Sequence, residues 1–454
     1  MRYPISFNMI WKQSTRIFIV ISMLTIAPVI AKEITSTEHV LTAKLIASDA
    51  SEYREFGSAV AIDGNTLVIG QSSGQSVYVF IHDGVSWVEQ AKLTPSENTS
   101  AYSGFGHAVE IDGDTIAVGA PFEDLGDDTN VGAVYLYSRS EHHWTEQHRI
   151  LPDNPHSFEN FGFSLALRQG NLLTGSPGKD THDFTNGQVS YYQQTGNRWV
   201  LKQQLFPKDL GTADNFGFSI DISGDTAVIG SIGSNTNLGD AEIFTLSGGL
   251  WVEQQSLDNQ NGAQGDSFGY SVAIHGDTIA IGAPYASESE TPDQGEVSIY
   301  KRTGNNWYLQ EKVFSDVPVF SQSFGFHTTL QENKLLIGTY HYASGAALFI
   351  FERDEHAWQQ VSKLSSPESQ EAFGMAAAIE GNIIAIGAPN ADVLVNGQGT
   401  ATGAGAVYLF ESIRSADVAT NNPTHSLGNN AANEAAKNHD SLGKTSQISS
   451  TPVL

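Results

Sequence analysis

The sequence contains no cysteine and few basic residues. Without Cys in 454 residues, the chain forms no disulfide and has no site for a lipoprotein anchor, so its stability comes from packing. Only 23 Lys and Arg stand against 50 Asp and Glu, which gives a net charge of −27. A chain this acidic repels phosphate backbones and gains nothing from counterion release, which argues against nucleic acid as a partner.

Recognisable catalytic signatures and long apolar runs are also missing from the body of the chain. The sequence has no Gly-x-Ser-x-Gly, no His-Glu-x-x-His and no phosphate loop. Its histidines, such as His142 and His143, are not spaced as metal ligands are. Beyond residue 31 no apolar stretch reaches the ~18 residues of a membrane-spanning helix, so no span is expected in the mature chain.

The two ends differ in composition from the rest. Residues 1–31 carry Arg2, Lys12 and Arg16 without any acid, then an apolar run that ends at Ala31. This pattern predicts a signal peptide and hence a secreted, periplasmic or cell-surface protein, with an uncleaved N-terminal anchor as the alternative. Residues 32–38 form a short lead-in, and residues 413–454, rich in Asn, Ala and Ser, are predicted to be a disordered tail.

Between these ends, at 39–412, one pattern recurs seven times. A Phe-Gly pair is followed by another glycine fourteen residues after the Phe, and the copies begin about 50 residues apart, a period typical of propellers and solenoids. The Phe and the later Gly of each copy are Phe56 and Gly70, Phe105 and Gly119, Phe161 and Gly175, Phe216 and Gly230, Phe268 and Gly282, Phe324 and Gly338, Phe373 and Gly387.

Each copy contains four strand signals. The first strand alternates apolar and variable residues, a tight turn follows, and the second strand is continuously apolar, as expected when neighbours cover both of its faces. A third strand and a polar turn lead to a fourth strand that opens on a tryptophan expected to be in the core. These tryptophans are Trp87, Trp144, Trp199, Trp251, Trp307 and Trp358.

The seventh copy ends without its tryptophan strand. Residues 39–45 align with the tryptophan strand at 87–93, and they precede the first Phe by the same spacing. The N-terminal segment is therefore predicted to complete the last blade, which leaves no unpaired sheet edge. The sequence predicts an all-β fold, a seven-bladed β-propeller of four-stranded antiparallel blades whose ring is closed by the N-terminal strand.

Several copies resemble the FG-GAP repeats of the integrin α-subunit N-terminal β-propeller and of bacterial secreted proteins. Phe105-Gly106 with Gly119-Ala120-Pro121 carries the resemblance, as does Phe268-Gly269 with Gly282-Ala283-Pro284. The resemblance implies a seven-bladed β-propeller. In that family an Asp-rich loop between the first two strands binds calcium, but here turns such as Asp112-Gly113-Asp114 replace it, so that calcium site is not carried over.

The connections between the second and third strands vary in length and share one face of a propeller with the connections between blades. This face is the predicted partner-binding face, although freely varying solvated loops would look the same. The candidates for a calcium site are Glu123, Asp124, Asp127 and Asp128. The candidates for partner binding are Phe122, Glu123, Asp180, His182, Tyr285, Glu288, Tyr340, His341, Asn390 and Asp392.

The sequence favours a non-catalytic binding or adhesion module for an extracellular protein or a glycan. Two alternatives stay open. One is a polysaccharide lyase or hydrolase with its site at the channel mouth, since a propeller can assemble carboxylates from different blades. The other is a structural scaffold at the cell surface, because a propeller fold alone does not determine function.

Overall fold

The computed structural model describes residues 37–96, 102–181, 184–207, 215–233, 238–260, 262–287, 292–317, 319–340, 346–355, 357–368, 372–395 and 399–414. The predicted signal peptide lies outside them, as does the predicted tail beyond residue 414. None of the helical segments in these ranges is long and apolar enough to cross a membrane.

The described chain is built from β-strands and one 3-10 turn at Ser72–Gly74. Strand β1, Thr37–Leu45, precedes the first blade. Blades 1 to 3 contain β2 Phe56–Asp63, β3 Thr66–Gln71, β4 Ser76–His82 and β5 Trp87–Leu93; β6 Ala108–Asp112, β7 Thr115–Ala120, β8 Ala133–Ser140 and β9 His143–Ile150; β10 Leu165–Arg168, β11 Asn171–Ser176, a small hairpin of β12 Asp180–Thr181 and β13 Phe184–Thr185, β14 Gln188–Thr195 and β15 Arg198–Leu205.

The remaining blades repeat this order. Blades 4 to 7 contain β16 Ser219–Ser223, β17 Thr226–Ser231, β18 Asp240–Ser247 and β19 Leu250–Asp258; β20 Ser271–His275, β21 Thr278–Ala283, β22 Glu296–Thr303 and β23 Asn306–Val313; β24 His327–Gln331, β25 Lys334–Gly338, β26 Ala347–Arg353 and β27 Trp358–Ser365; β28 Ala377–Glu380, β29 Ile383–Ala388, a small hairpin of β30 Val393–Val395 and β31 Gly399–Ala401, and β32 Ala406–Arg414.

The first strand of the chain closes the ring. Strand β1 pairs antiparallel with β32, from Thr37 opposite Arg414 to Leu45 opposite Val407, so blade 7 has the order β28, β29, β32, β1. The predicted seven-bladed propeller and its closing strand are both confirmed. Every blade is a four-stranded antiparallel sheet with its first strand at the central channel.

The fourteen-residue spacing of Phe-Gly and Gly has a direct structural reason. Within blade 2 the amide of Gly106 donates to the carbonyl of Gly119 at 3.0 Å. Gly119 also meets the next blade, because a Cβ there would lie 2.1 Å from the carbonyl oxygen of Gly162, whose own φ is +87°. The pattern continues across the closure, where a Cβ on Gly387 would lie 2.1 Å from the Gly57 oxygen. Only glycine allows adjacent blades to come this close.

Buried aromatics form the core of each blade. All seven Phe residues of the Phe-Gly pairs are buried, and Phe56 packs edge-on against Tyr78 with 5.3 Å between ring centroids. The tryptophans divide into two groups. Trp251, Trp307 and Trp358 are buried, whereas Trp87, Trp144 and Trp199 are half-buried and pack on the outside of the core. The prediction of a core role for all six therefore holds fully for three.

The ring has two different faces. The turn face carries the two-residue turns between first and second strands, such as residues 64–65. On this face a polar side chain at the end of an inner strand forms a hydrogen bond with the next blade. The Asp63 carboxylate of blade 1, for example, accepts from the Gly113 amide of blade 2 at 2.6 Å. The loop face carries the connections between second and third strands and those between blades, such as residues 121–132 and 151–164.

Candidate functional site

The residue two positions after each Phe lies at the loop-face end of the inner strand of its blade. In blades 2 to 6 this residue is aromatic, and the five rings form a continuous arc, the aromatic arc, of His107, Phe163, Phe218, Tyr270 and Phe326. Successive ring centroids lie 4.7, 5.0, 4.9 and 4.8 Å apart. Each ring is half-buried, so the arc presents an accessible aromatic surface around the channel.

The aromatic arc is interrupted at blades 7 and 1, where the same position holds Met375 and Ser58. Tyr340 continues it for one more ring, because it stacks on Phe326 with 5.0 Å between centroids and 21° between planes. The interruption forms a pocket of about 470 Å³, the mouth pocket, which is lined by blades 6, 7, 1 and 2. This volume is typical of sites for small ligands.

Blade 1 gives the mouth pocket a polar lining. Glu55 projects into it from a backbone with φ of +61°, and its Oε2 accepts from the Ser73 hydroxyl at 2.5 Å and from the Ser72 hydroxyl at 3.4 Å. The Ser58 hydroxyl accepts from the Ser72 amide at 3.2 Å. This cluster is held by its own hydrogen bonds, and its carboxylate and hydroxyl oxygens are acceptors for a ligand.

Blade 2 gives the same pocket an aromatic lining of Tyr102, His107 and Phe122. Phe122 lies edge-on to His107 at 5.6 Å, and it fits there because Gly104 has no side chain: a Cβ on Gly104 would lie 2.7 Å from the Phe122 ring. Burial lowers the pKa of His107 to about 4, so the imidazole is neutral at physiological pH and serves as an aromatic surface.

The sequence pattern described as FG-GAP repeat matches residues 40–80, 87–137, 199–244 and 251–300. Each matched segment begins in the outer strand of one blade and continues through the third strand of the next blade. The first segment follows the same rule, since it begins in β1, the outer strand of blade 7, and continues into blade 1. The chain is a seven-bladed β-propeller that contains FG-GAP repeats. Blades 3, 6 and 7 have the same glycine contacts as the four matched segments.

The chain was also compared with curated proteins and with solved structures. No curated protein matches this FG-GAP propeller. Among solved structures, a chain of "Crystal Structure of Mitotic Checkpoint Complex" superposes with a TM-score of 0.50 at 14% identity, over 88% of this chain and 99% of that one. At this identity the similarity extends to the fold and not to the activity.

Three of the predicted partner-binding residues lie together at the mouth pocket of the propeller. Phe122, Tyr340 and Asn390 come from blades 2, 6 and 7, and all line the mouth pocket. Tyr285 is exposed beside Tyr270, at 6.0 Å between rings, and the Asp392 carboxylate accepts from the Gly403 amide. His182, Glu288 and His341 lie outside the described residues, as does the side chain of Asp180.

The four acids proposed for calcium have different surroundings. Glu123 is buried, where it forms an ion pair with Arg149 and accepts from the Tyr135 hydroxyl at 2.8 Å. Asp124 accepts from the Asn130 amide and Asp128 from the Ser157 hydroxyl, while Asp127 is exposed. Within the described ranges no three His, Asp or Glu side chains are grouped closely enough to hold a metal. Glu123 is thus engaged in the interior rather than at the surface.

The aromatic arc and Glu55 were missed in the sequence. The signal was present, since the residue after Phe-Gly is His107, Phe163, Phe218, Tyr270 or Phe326 in five consecutive copies. This position varies between copies whereas the repeat glycines do not, so it does not stand out as part of the repeat. Glu55 gives no such signal, since its direction depends on a positive φ in an irregular connection.

The central channel carries a second group of ionisable residues. Toward the turn face it encloses about 350 Å³, and Glu110 and Asp221 occupy equivalent positions on β6 and β16. Burial, together with the negative charges of Asp221 and Asp112, raises the pKa of Glu110 to about 8 despite the opposing effect of Arg168. Burial raises the pKa of Asp221 to about 6, although its carboxylate accepts amide hydrogen bonds from Ile222 and Ile274.

Substituting Glu110 with alanine should flatten the pH dependence of stability. Because the folded-state pKa of Glu110 is raised, its protonated form favours folding; this contribution is complete below pH 4.5 and is lost as pH rises through about 8. At pH 8.5, Glu110→Ala should therefore be more stable than the native chain by roughly 1 to 3 kcal/mol in urea unfolding. Asp221 still titrates in the variant, so some dependence near pH 6 should persist.

Alanine is a matched replacement, because four other blades carry Ala61, Ala166, Ala273 and Ala378 at this position. The exposed Glu52→Ala serves as the charge control. Equal pH profiles for the native chain and Glu110→Ala would mean that the channel solvates this carboxylate fully.

Proposed function

We propose that this FG-GAP propeller is a non-catalytic binding or adhesion module that holds an extracellular protein or a glycan on its loop face. The N-terminal leader in the sequence supports export, and with it a partner outside the cytoplasm. The net charge of −27 supports a partner other than nucleic acid, since phosphate backbones would be repelled.

One observation carries the proposal. Seven aromatic side chains are exposed among the described residues, and six of them lie in loop-face connections. These six are Tyr53, Tyr102, Phe158, Phe206, Tyr285 and Phe320; the seventh, Tyr308, lies on the outer strand β23. Aromatic residues are enriched at the centres of protein interfaces, and exposed apolar groups gathered on one surface are typical of binding sites.

Binding is favoured over polysaccharide cleavage by the arrangement of carboxylates. Most glycoside hydrolases place two carboxyl groups on either side of the scissile bond. The described lining of the mouth pocket has one carboxylate, Glu55, while Glu110 and Asp221 line the channel toward the turn face. We therefore propose that a ligand on the loop face is held and not cut.

The proposal predicts that exposed aromatics on the loop face dominate partner binding. A variant with Tyr53, Tyr102 and Phe158 all changed to Ala should lose at least about tenfold in affinity, because truncating each central aromatic of an interface costs roughly 1 to 2 kcal/mol. The affinity would be measured for ligands identified on an array of printed glycans and a panel of purified extracellular proteins. Melting should be unchanged, since the three rings are exposed.

The matched control removes exposed apolar side chains elsewhere, with Val85, Val252 and Tyr308 changed to Ala. It should bind like the native chain. Equal loss in both variants, or shortening of any bound polysaccharide during the assay, would contradict a binding role on the loop face; shortening would favour the enzyme.

A further inference from the structure

We propose that the mouth pocket binds one ring of a neutral sugar, as the specific contact within the broader loop-face interface. This inference rests on the proposed binding role and names the chemistry of its most enclosed part.

The pocket combines two kinds of surface in the way that a pyranose ring does. A pyranose has apolar C–H groups on its faces and hydroxyl groups around its edge. Tyr340 flanks the pocket from blade 6 and Phe122 from blade 2, and the polar residues of blade 1 lie between these two blades in the ring. Aromatic faces carry partial negative charge that attracts polarised C–H groups, so these rings suit the faces of the sugar.

The polar residues suit ligand hydroxyls rather than carbonyls or anions. Ser73 and Ser72 donate their hydroxyl protons to Oε2 of Glu55, which directs the lone pairs of these oxygens to a ligand. The Ser58 hydroxyl accepts from the Ser72 amide, which leaves its own proton to donate to a ligand oxygen. The cluster therefore accepts mainly from ligand O–H groups, and the Asn390 amide at the rim offers both donors and acceptors.

The charge and the volume of the mouth pocket further restrict the class of sugar that it can bind. No Lys or Arg lines the described pocket, and His107 is neutral because burial depresses its pKa, so sulfated or carboxylated sugars would meet Glu55 without a counter-charge. The 470 Å³ volume accommodates one or two sugar rings and lies within the ~300 to 1,000 Å³ of ligand sites. A neutral sugar unit of a larger glycan satisfies both conditions.

The test is saturation-transfer NMR on the full chain with the methyl glycosides of glucose, galactose, mannose and N-acetylglucosamine as probes. At least one probe should bind with a Kd of about 1 mM, the weak affinity expected of a single ring. Tyr340→Ala and Phe122→Ala should each weaken binding about tenfold or more, and saturation should be strongest on the ring C–H protons. Tyr308→Ala, which removes an exposed tyrosine on β23, should have no effect.

Glu55→Gln should also weaken binding, whereas Glu52→Gln, which removes the same charge three residues away, should not. Three results would overturn the inference: no binding of any glycoside at about 20 mM, equal effects of the two glutamine variants, or tighter binding of lysine amide than of every glycoside. Partner binding that depends on Tyr53 and Phe158, which do not line the mouth pocket, would survive each of these results, so failure of the pocket and failure of the loop face remain distinguishable.

Discussion

Deleting residues 37–46 is expected to abolish the cooperative unfolding of the propeller and to lower its melting temperature by at least about 10 °C. Strand β1 pairs with β32 along eight register positions, and Leu45 is part of the buried cluster shared by blades 7 and 1. Without β1, blade 7 lacks its outer strand, β32 becomes an exposed edge, and the packing of Leu45 between blades 7 and 1 is lost. Calorimetry with and without the segment measures the effect.

A permuted chain is the matched control for this deletion. Thr37 lies opposite Arg414, so a two-residue Asn-Gly turn after Arg414 could lead directly into residues 37–46 as a hairpin. Blade 7 would then be contiguous like the other six, with the same residues in the same sheet. Cooperative melting should return in this chain. If the deletion itself melts like the native chain, then β1 does not close the ring in solution.

The repeat could be predicted from sequence because each of its signals is local. A Phe-Gly pair and a glycine fourteen residues later belong to one hairpin, in which Gly106 and Gly119 are hydrogen-bonded. The ring closure could also be predicted, since residues 39–45 match the outer strand of other copies. The burial of individual tryptophans could not, because Trp199 and Trp251 occupy equivalent positions, yet Trp251 is buried, edge-on to Tyr191 of the neighbouring blade, while Trp199 is half-buried.

The candidate site could be predicted only in part, because some of its features are local in sequence and others depend on how the blades meet. The loop-face connections could be assigned to one face, and Phe122, Tyr340 and Asn390 indeed line one pocket there. Their meeting depends on the ring bringing blade 6 close to blade 2, which no spacing within a repeat encodes. The role of Glu123 was hidden because Arg149, its partner, belongs to the outer strand β9 and not to the connection.

Blade 3 contains a buried ion pair whose loss is expected to lower the stability of the propeller strongly. Lys179 follows β11 and Glu159 precedes β10, and both side chains are buried, with 2.5 Å between Nζ and Oε2. The Lys179 ammonium also donates to the Asn154 carbonyl at 2.6 Å and contacts Nδ1 of His156 at 3.0 Å. The pair joins the connection between blades 2 and 3, which carries the exposed Phe158, to the loop that follows β11.

Lys179→Met should cost about 3 to 5 kcal/mol of stability in urea unfolding at pH 8, because it leaves the Glu159 carboxylate buried without its counter-charge. The pKa of Glu159 is already raised by burial, and the substitution removes the ammonium that opposes this shift. The pKa then rises further, so the protonated form favours folding and the cost should grow with pH. The cost should be smallest below pH 4.5, where the carboxyl is protonated in both the folded and the unfolded chain.

The double variant Lys179→Met with Glu159→Leu separates the value of the pair from the penalty of breaking it. Replacing both charges by apolar side chains of similar volume removes the uncompensated carboxylate, so most of the lost stability should return. A cost below about 1 kcal/mol for Lys179→Met alone would contradict the buried geometry. A double variant as unstable as the single one would instead show that the Lys179 contacts to Asn154 and His156, rather than its charge on Glu159, hold the connection that carries Phe158.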